Sequence, residues 1–315
     1  MNVRKKYVLT VTLNPAMDKI WKGRYVSAGK NSICEKKMLS AGGKGINVTR
    51  ALNHFGLKSI ATGFIGGLAG KHLCQCLQKE GIGFDFVLLN AETRTNTTII
   101  DVRTNQITRL VEEGPRGKSR DFQNLKSKYF SLLRKRWCVV LAGRNLPGIK
   151  ENVYFDLIDM AKRKNVLTIL DASGKSLSFG LKAKPFMIKP NLEEAQYAID
   201  RKLDSLLKVK KAVHFFFAMG IKISIISMGA RGAVGFDGHN VYWVKPPKIK
   251  VVNPVGCGDA FIAGFLWGIY QKQTFSESMQ FAVATGTMNA LSLQPGDVRQ
   301  RNLKRILRRV KVQAL

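Results

Sequence analysis

Acidic residues are scarce in this chain of 315: 21 Asp and Glu stand against 52 Lys and Arg, a formal net charge of +31. Such a field draws anions of every kind, whether nucleic acid, acidic lipid or phosphorylated metabolites. The positive residues run through the whole chain and form no single block, so most of the excess reads as solvated faces. The densest stretch, Arg299–Lys311, reads as a basic closing helix. It has no interleaved aromatics, which argues against a surface that stacks bases. Histidine is also scarce, with four dispersed residues. The five cysteines, Cys34, Cys74, Cys76, Cys138 and Cys257, lack a CxxC spacing. A zinc site is therefore not expected, and the chain reads as reduced and cytoplasmic. No window approaches the roughly 18 consecutive apolar residues of a membrane span. The basic start, Met1 to Lys6, leads into a strand-like run with no plausible cleavage site, so neither signal peptide nor anchor is expected. Repeats, low-complexity tracts and proline-rich linkers are missing too.

What is present is a regular alternation. Apolar, β-branched runs at Tyr7–Leu13, Ser59–Phe64, Trp137–Ala142, Val166–Asp171, Phe186–Lys189 and Ile223–Ser227 predict strands. Between them, helical periodicity marks Ile46–Phe55, Lys71–Glu80, Asn152–Lys164 and Leu192–Ala198. Strands apolar on both faces, each followed by a helix, predict a parallel sheet covered on both sides: a doubly wound three-layer α/β/α fold in one domain spanning 1–315. A second texture lies over it. Ile20–Val26, Lys37–Leu39, Thr97–Val102 and Ile107–Leu110 are short, alternating and not separated by helices. They predict a small antiparallel sheet from two insertions, about 19–40 and 93–111, serving as a lid, a dimer surface or both. Gly232–Asp237 and Val241–Lys245 flank Gly238-His239-Asn240 as a hairpin.

Asn253-Pro-Val-Gly-Cys-Gly-Asp259 opens a predicted helix, Ala260–Gln271. Two glycines let several N–H groups face one point, and the helix start adds unpaired donors and a positive dipole end. That is a cradle for an anion whose charge grows during a reaction, and an Asp at its rim suits a general base. The plainer reading is a Gly-rich helix start with Asp as N-cap. Ala41-Gly-Gly-Lys-Gly-Ile-Asn47 also opens a helix, with Lys44 and Asn47 placed for phosphate and hydroxyls, but it lacks the GxxxxGK[ST] spacing of a Walker A loop. In Lys189-Pro-Asn-Leu-Glu-Glu194, Asn191 can cap the next helix while Glu194 returns to it. The functional alternative places Glu194 behind the waters of a Mg²⁺. Ser227-Met-Gly-Ala-Arg-Gly232 suits nucleotide phosphates, or is only a turn.

These pieces, in this order, together with Thr12-Leu-Asn-Pro-Ala-Met-Asp18, Glu92-Thr-Arg-Thr-Asn96 and Glu112-Glu-Gly-Pro115, closely resemble the PfkB (ribokinase-like) carbohydrate kinase family. The likeness is strongest to its 1-phosphofructokinase and tagatose-6-phosphate kinase branch. It implies an ATP- and Mg²⁺-dependent kinase acting on a ketohexose phosphate, fructose 1-phosphate first and tagatose 6-phosphate second. A 6-phosphofructokinase of the same family is the alternative, and a polyanion-binding scaffold derived from such a kinase a more distant one. Asp259 would be the base, with Gly256, Cys257 and Gly258 amides around the γ-phosphate. Asp18, Gly43 and Asn47 would hold sugar hydroxyls, and Lys44 and Arg94 the substrate's own phosphate. Lys189, Asn191, Ser227, Gly229 and Gly232 would border the nucleotide phosphates, Val283 and Thr287 the adenine, and Glu194 would organise Mg²⁺ through water. A monovalent cation near the Asn253 loop is left open. The resemblance further implies a homodimer through the lid, with no membrane and no specific nucleic-acid partner. Arg144 departs from the family, whose pattern there is Ser-Gly-Ser-Leu-Pro; it would either contact the sugar phosphate or swing to solvent.

Overall fold

The computed structural model describes residues 7–23, 29–104, 106–134, 136–299 and 302–315. The predicted start Met1 to Lys6 and the last three residues of the Ile20–Val26 strand lie outside that set. In chain order the elements begin with β1 (Tyr7–Thr12), β2 (Ala16–Gly23), β3 (Cys34–Gly42), α1 (Lys44–His54), β4 (Ser59–Gly66) and α2 (Gly67–Lys79). Next come β5 (Gly83–Phe84), β6 (Val87–Leu89), β7 (Thr95–Asp101), β8 (Ile107–Val111), α3 (Ser119–Leu132) and β9 (Arg136–Ala142). The middle of the chain forms α4 (Val153–Lys162), β10 (Leu167–Asp171), α5 (Gly174–Lys182), β11 (Met187–Ile188), α6 (Leu192–Ile199) and α7 (Leu206–Ala218). Then follow β12 (Ile223–Ser227), β13 (Ala233–Phe236), β14 (Val241–Lys245), α8 (Cys257–Tyr270), α9 (Phe275–Asn289), α10 (Leu303–Leu307) and β15 (Lys311–Ala314).

An 11-stranded sheet runs β15-β14-β13-β12-β11-β10-β9-β1-β4-β5, with β6 beside β4. From β5 to β12 the pairs are parallel, and β13, β14 and β15 close the other edge antiparallel. The apolar strands explain this layering. In β9, Val139 and Leu141 enter one core with Tyr129, Tyr154 and Phe216. Cys138, Val140 and Ala142 enter the other with Phe261, Phe265 and Phe281. Alternate residues of one strand thus feed opposite layers, each full burial contributing about 2 kcal/mol. A third, smaller core under α2 holds Met17, Ala41, Ile46 and Leu73 and anchors the second sheet.

That second sheet is four-stranded, β3-β2-β7-β8. Its first insertion begins at Ala16 and ends at Gly42, slightly wider than the sequence suggests. Its outer pairs are antiparallel, while the central β2·β7 pair is parallel, Met17 facing Thr95. Both insertions leave the main sheet at the same edge, so their first strands run the same way. The basic C-terminal stretch is not one helix. Among its described residues the α-helix is Leu303–Leu307, and the chain then joins the sheet as β15 opposite β14. Leu303, Ile306 and Val310 are buried while Lys304, Arg305, Arg309 and Lys311 are exposed, so the apolar spacing turns the chain inward and leaves the charge in water. No helix among the described residues is long and apolar enough to cross a membrane.

Candidate active site

Strand ends, a pair of glycine turns and one helix start meet at a single edge of the main sheet. Ligands of open α/β sheets collect at the carboxyl ends of the strands, and here β1 ends at Thr12, β10 at Asp171, β11 just before Lys189 and β12 at Ser227. α8 starts over this edge from Gly256, whose φ of 83° is a left-handed conformation that favours glycine. Helix α8 begins at Cys257, so Asp259 lies in its first turn and is not the N-cap. The Cys257 N–H reaches the Pro254 carbonyl at 3.4 Å. The N–H groups of Gly256 and Gly258 have no hydrogen-bond partner among the described residues.

Asp259 is buried, 5% exposed, and its Oδ2 accepts a hydrogen bond from Asn47 Nδ2 (2.8 Å). Burial, and then the charge of nearby Asp171, push its carboxyl up to about 6, against the pull of Lys44, Asn47 and Lys189. Asp171 is 1% exposed and faces two ammonium groups, Lys44 Nζ at 3.3 Å and Lys189 Nζ at 3.4 Å. Burial opposes its charge, but the two lysines prevail and hold it below the ordinary carboxylate range. For Lys44 burial works downward; Asp171, Glu194 and Asp259 outweigh it and hold the ammonium above its usual range. The Lys44 side chain keeps 35% exposure, so solvent screens part of this attraction. Lys189 is 4% exposed, and a Cβ added to Gly258 would lie 3.1 Å from its Nζ. The ammonium therefore sits at the mouth of the α8 amide turn.

Asn191 and Glu194 form a reciprocal capping box on α6. The Glu194 N–H donates to Asn191 Oδ1 (2.8 Å) and the Asn191 N–H to Glu194 Oε2 (2.9 Å). The other carboxylate oxygen of Glu194 lies 3.5 Å from Lys44 Nζ. Capping and site roles thus coexist in one side chain. Asn191 bridges to Ser227 in the sheet, and the Ser227 N–H donates to the Pro190 carbonyl. Beside them opens a cavity of about 520 Å³ lined by Ser227, Gly229, Gly232, Cys257, Val283 and Thr287, among others. The residues assigned to nucleotide binding from sequence therefore gather around one cavity, with Lys189 and Asn191 at its edge.

The sugar side is arranged differently from expectation in two places. Lys44 points to Asp171 and Glu194, and so belongs to the middle of the site. Arg94 spends three of its five N–H groups on main chain: Nε and Nη2 donate to Asn14 O, and Nη1 to Glu112 O. Burial lowers its pKa; Asp18 opposes that, and the charge of Arg144 adds to it. Arg144 itself is exposed. Asp18 accepts a hydrogen bond from Asn96 Nδ2 (2.9 Å) and rests on Gly42, where a Cβ would come within 2.0 Å of its Oδ2. Burial raises the Asp18 carboxyl, against Asn96 and the charges of Arg109, Arg50 and Arg94. Gly43, with φ 125°, packs against Thr12 and Pro15 and aims α1 at the site. Asp171 went unassigned in the sequence. Its one signal is an acid ending an apolar strand, where function is more common than packing.

Comparison with known proteins agrees with this geometry. Residues 18–300 match the model of the pfkB family carbohydrate kinases. The chain is 33% identical to a tagatose-6-phosphate kinase of Staphylococcus epidermidis, over 97% of this chain and 99% of that protein. It is similar to the solved structure of phosphofructokinase-2 from Escherichia coli in complex with potassium, with TM-score 0.91 and 26% identity, covering 97% of this chain and 99% of the other. It is also similar to a possible 1-phosphofructokinase of Thermotoga maritima, with TM-score 0.86 and 26% identity over 98% and 99% of the two chains. A family match that takes in the lid, both glycine turns and the Asp259 loop leaves one conclusion: the chain belongs to the PfkB family of carbohydrate kinases.

Proposed function

We propose that the protein transfers the γ-phosphoryl group of ATP to a hydroxyl of a ketohexose phosphate, fructose 1-phosphate or tagatose 6-phosphate, with Asp259 as general base. The observation that carries this reading is Asp259 itself: a buried carboxylate, raised to about 6, oriented by Asn47 and standing at the start of α8 beside two lysines. A base with a pKa near 6 is ionised at neutral pH yet basic enough to draw a proton from a hydroxyl as its oxygen attacks. Phosphoryl transfer asks the protein mainly for positioning and charge neutralisation. Lys189 and the free Gly256 and Gly258 amides supply both at the transferred group, and Lys44 spans from Asp171 towards the acceptor. The 520 Å³ cavity takes the nucleotide, with Val283 and Thr287 against the base and Ser227, Gly229 and Gly232 along the phosphates.

The residues present fit a Mg²⁺. Asp171 Oδ2 is buried without a hydrogen-bond partner among the described residues, and Glu194 stands across Lys44 from it. Two carboxylates with substrate phosphate and water suit this ion, which rarely takes an all-protein cage; among the described residues no cluster of three or more candidate ligands exists. When bound, the ion neutralises phosphate charge. The potassium in the E. coli relative supports a monovalent cation by the Asn253 loop, which is pinned by Asn253 Nδ2 donating to Leu293 O (2.8 Å). Arg94, with two N–H groups uncommitted, and Arg144 remain for the substrate's phosphate, a group that arginine can hold bidentately. Two copies pair through the lid, where Ile107, Leu110 and Val111 are exposed. The test is a substrate panel with ATP: fructose 1-phosphate, tagatose 6-phosphate, fructose 6-phosphate and fructose. Turnover of either of the first two above the rest supports the reading; preference for unphosphorylated fructose ends it.

A further inference from the structure

Behind Asp259 lies a charged residue that never meets the cleft. Arg50, about one turn after Asn47 on α1, is 3% exposed, and all three of its guanidinium nitrogens are engaged. Its Nη1 donates to Asn47 Oδ1 (3.0 Å) and to the Pro295 carbonyl (2.8 Å). Its Nη2 donates to the Ala41 carbonyl (2.6 Å) and to Glu80 Oε1 (3.2 Å), and its Nε to Glu80 Oε2 (2.5 Å). An Asn side chain has two faces that differ only in which end is oxygen. By donating to the oxygen, Arg50 fixes the amide so that the NH₂ end points at Asp259 Oδ2. A flipped Asn47 would set two oxygens against each other.

A second path leaves the same guanidinium. Pro295, held by Nη1, precedes Gly296, whose N–H donates to Asn289 Oδ1 (2.6 Å). Asn289 Nδ2 in turn donates to the Val255 carbonyl (2.7 Å), in the turn that carries Gly256 and Gly258. One side chain is thus linked by hydrogen bonds both to the carboxylate and to the amide turn beside it.

We infer that Arg50 is a positioning residue for phosphoryl transfer, orienting Asn47 on the carboxylate of Asp259 and holding the α8 amide turn in register with it. The inference rests on Asp259 being the base. Because Asn47 donates to the charged form of that carboxylate, losing the fixed amide removes a stabilising bond and raises the carboxylate's pKa. The other groups that act on Asp259 are Asp171 at the end of β10, Lys44 on α1, Lys189 after β11 and Cys257 on α8; none of them touches Arg50, so they stay constant in the test.

The experiment compares R50Q with wild type in kcat, the KM for each substrate and the acid limb of the pH–rate profile. Expected are a kcat lower by up to about 100-fold, as for other small misplacements of reacting groups, and an acid limb moved up by about one pH unit, the scale of one hydrogen bond to a charged group. The KM for ATP should change little. In R50Q/N47A the losses should fall short of multiplying, since part of the action of Arg50 runs through Asn47. Wild-type kcat and acid limb in folded R50Q, or fully multiplicative losses in the double variant, overturn the inference. Should R50Q fail to fold, R50K is read in the same way. It keeps the charge opposite Glu80 but cannot span Asn47, Ala41 and Pro295 together; a raised limb supports the inference, and an unchanged limb with unchanged kcat overturns it. D259N separates the two levels: if it stays active, the base assignment itself has failed, whatever Arg50 does.

Discussion

The two sides of the cleft are built on opposite terms. On the main-sheet side, Asp171, Lys189 and Asp259 are all but withdrawn from water, and each charge is met by a partner within a few ångströms. On the lid side, every residue of β8 is exposed, with Ile107 at 45%, Leu110 at 58% and Val111 at 53%. Buried charges persist only where their partners are fixed, because an unpaired one costs several kcal/mol. That rim must be rigid and therefore hangs on the sheet. The lid's apolar side chains are buried towards its base, Met17, Ile20 and Ala41 among them. Its outer strand is free to meet a substrate or a second chain. Under the proposed function, chemistry belongs to the stiff rim and selection to the exposed one.

The largest expected effect lies on the stiff side. Asp259→Asn should lower kcat by about 1,000-fold, within the range of a lost general base, while the KM for ATP moves little and the thermal midpoint does not fall. A steady-state comparison showing similar kcat would remove the chemistry from this rim. Next, Lys189→Met should cost about 3 kcal/mol in urea unfolding, since it leaves buried Asp171 facing only the half-exposed Lys44. A change under about 0.5 kcal/mol would mean that the rim is not held by its charges. Third, the acid limb of kcat/KM should fall near pH 6: the ionised carboxylate is the active form, so activity is lost as pH drops through its raised value, about tenfold per unit below it. A limb near 4, the ordinary carboxylate range, would show that burial does not tune the base. The smallest effect belongs to the lid. Leu110→Glu should shift the protein towards monomer in sedimentation while folding stability moves by less than about 0.5 kcal/mol. A dimer that survives it would place the interface elsewhere.

Much of this was legible before any coordinates. The apolar runs placed the strands because full burial on both faces leaves no alternation to confuse them, as in Trp137–Ala142. The Asn253–Asp259 loop was legible because two glycines, a helix start and an acid lie within a few positions. The direction of Lys44 was not: its flexible stem can reach either substrate phosphate or Asp171, 127 residues away, and only the packing of α1 on the main sheet decides. Arg94 read as free for an anion, yet the nearness of the Asn14 and Glu112 carbonyls is a fact of loop packing. The C-terminal helix failed for the opposite reason. Its charge pattern suits a helix, but Val310 and the vacant edge of β14 draw the chain into a strand.

What the sequence determined by itself is local: hydrophobic period, glycine turns, a capping box, and an acid at a helix start, each settled by interactions among neighbours along the chain. What tertiary structure alone decided is which charges share a space. Asp171 with Lys44 and Lys189, Asn47 with Asp259, and Arg50 with Glu80 and Pro295 are brought together by sheet register and helix packing. Electrostatic and hydrogen-bond energies depend on separations of a few ångströms in a low-dielectric interior, and those separations are set by contacts from all over the fold.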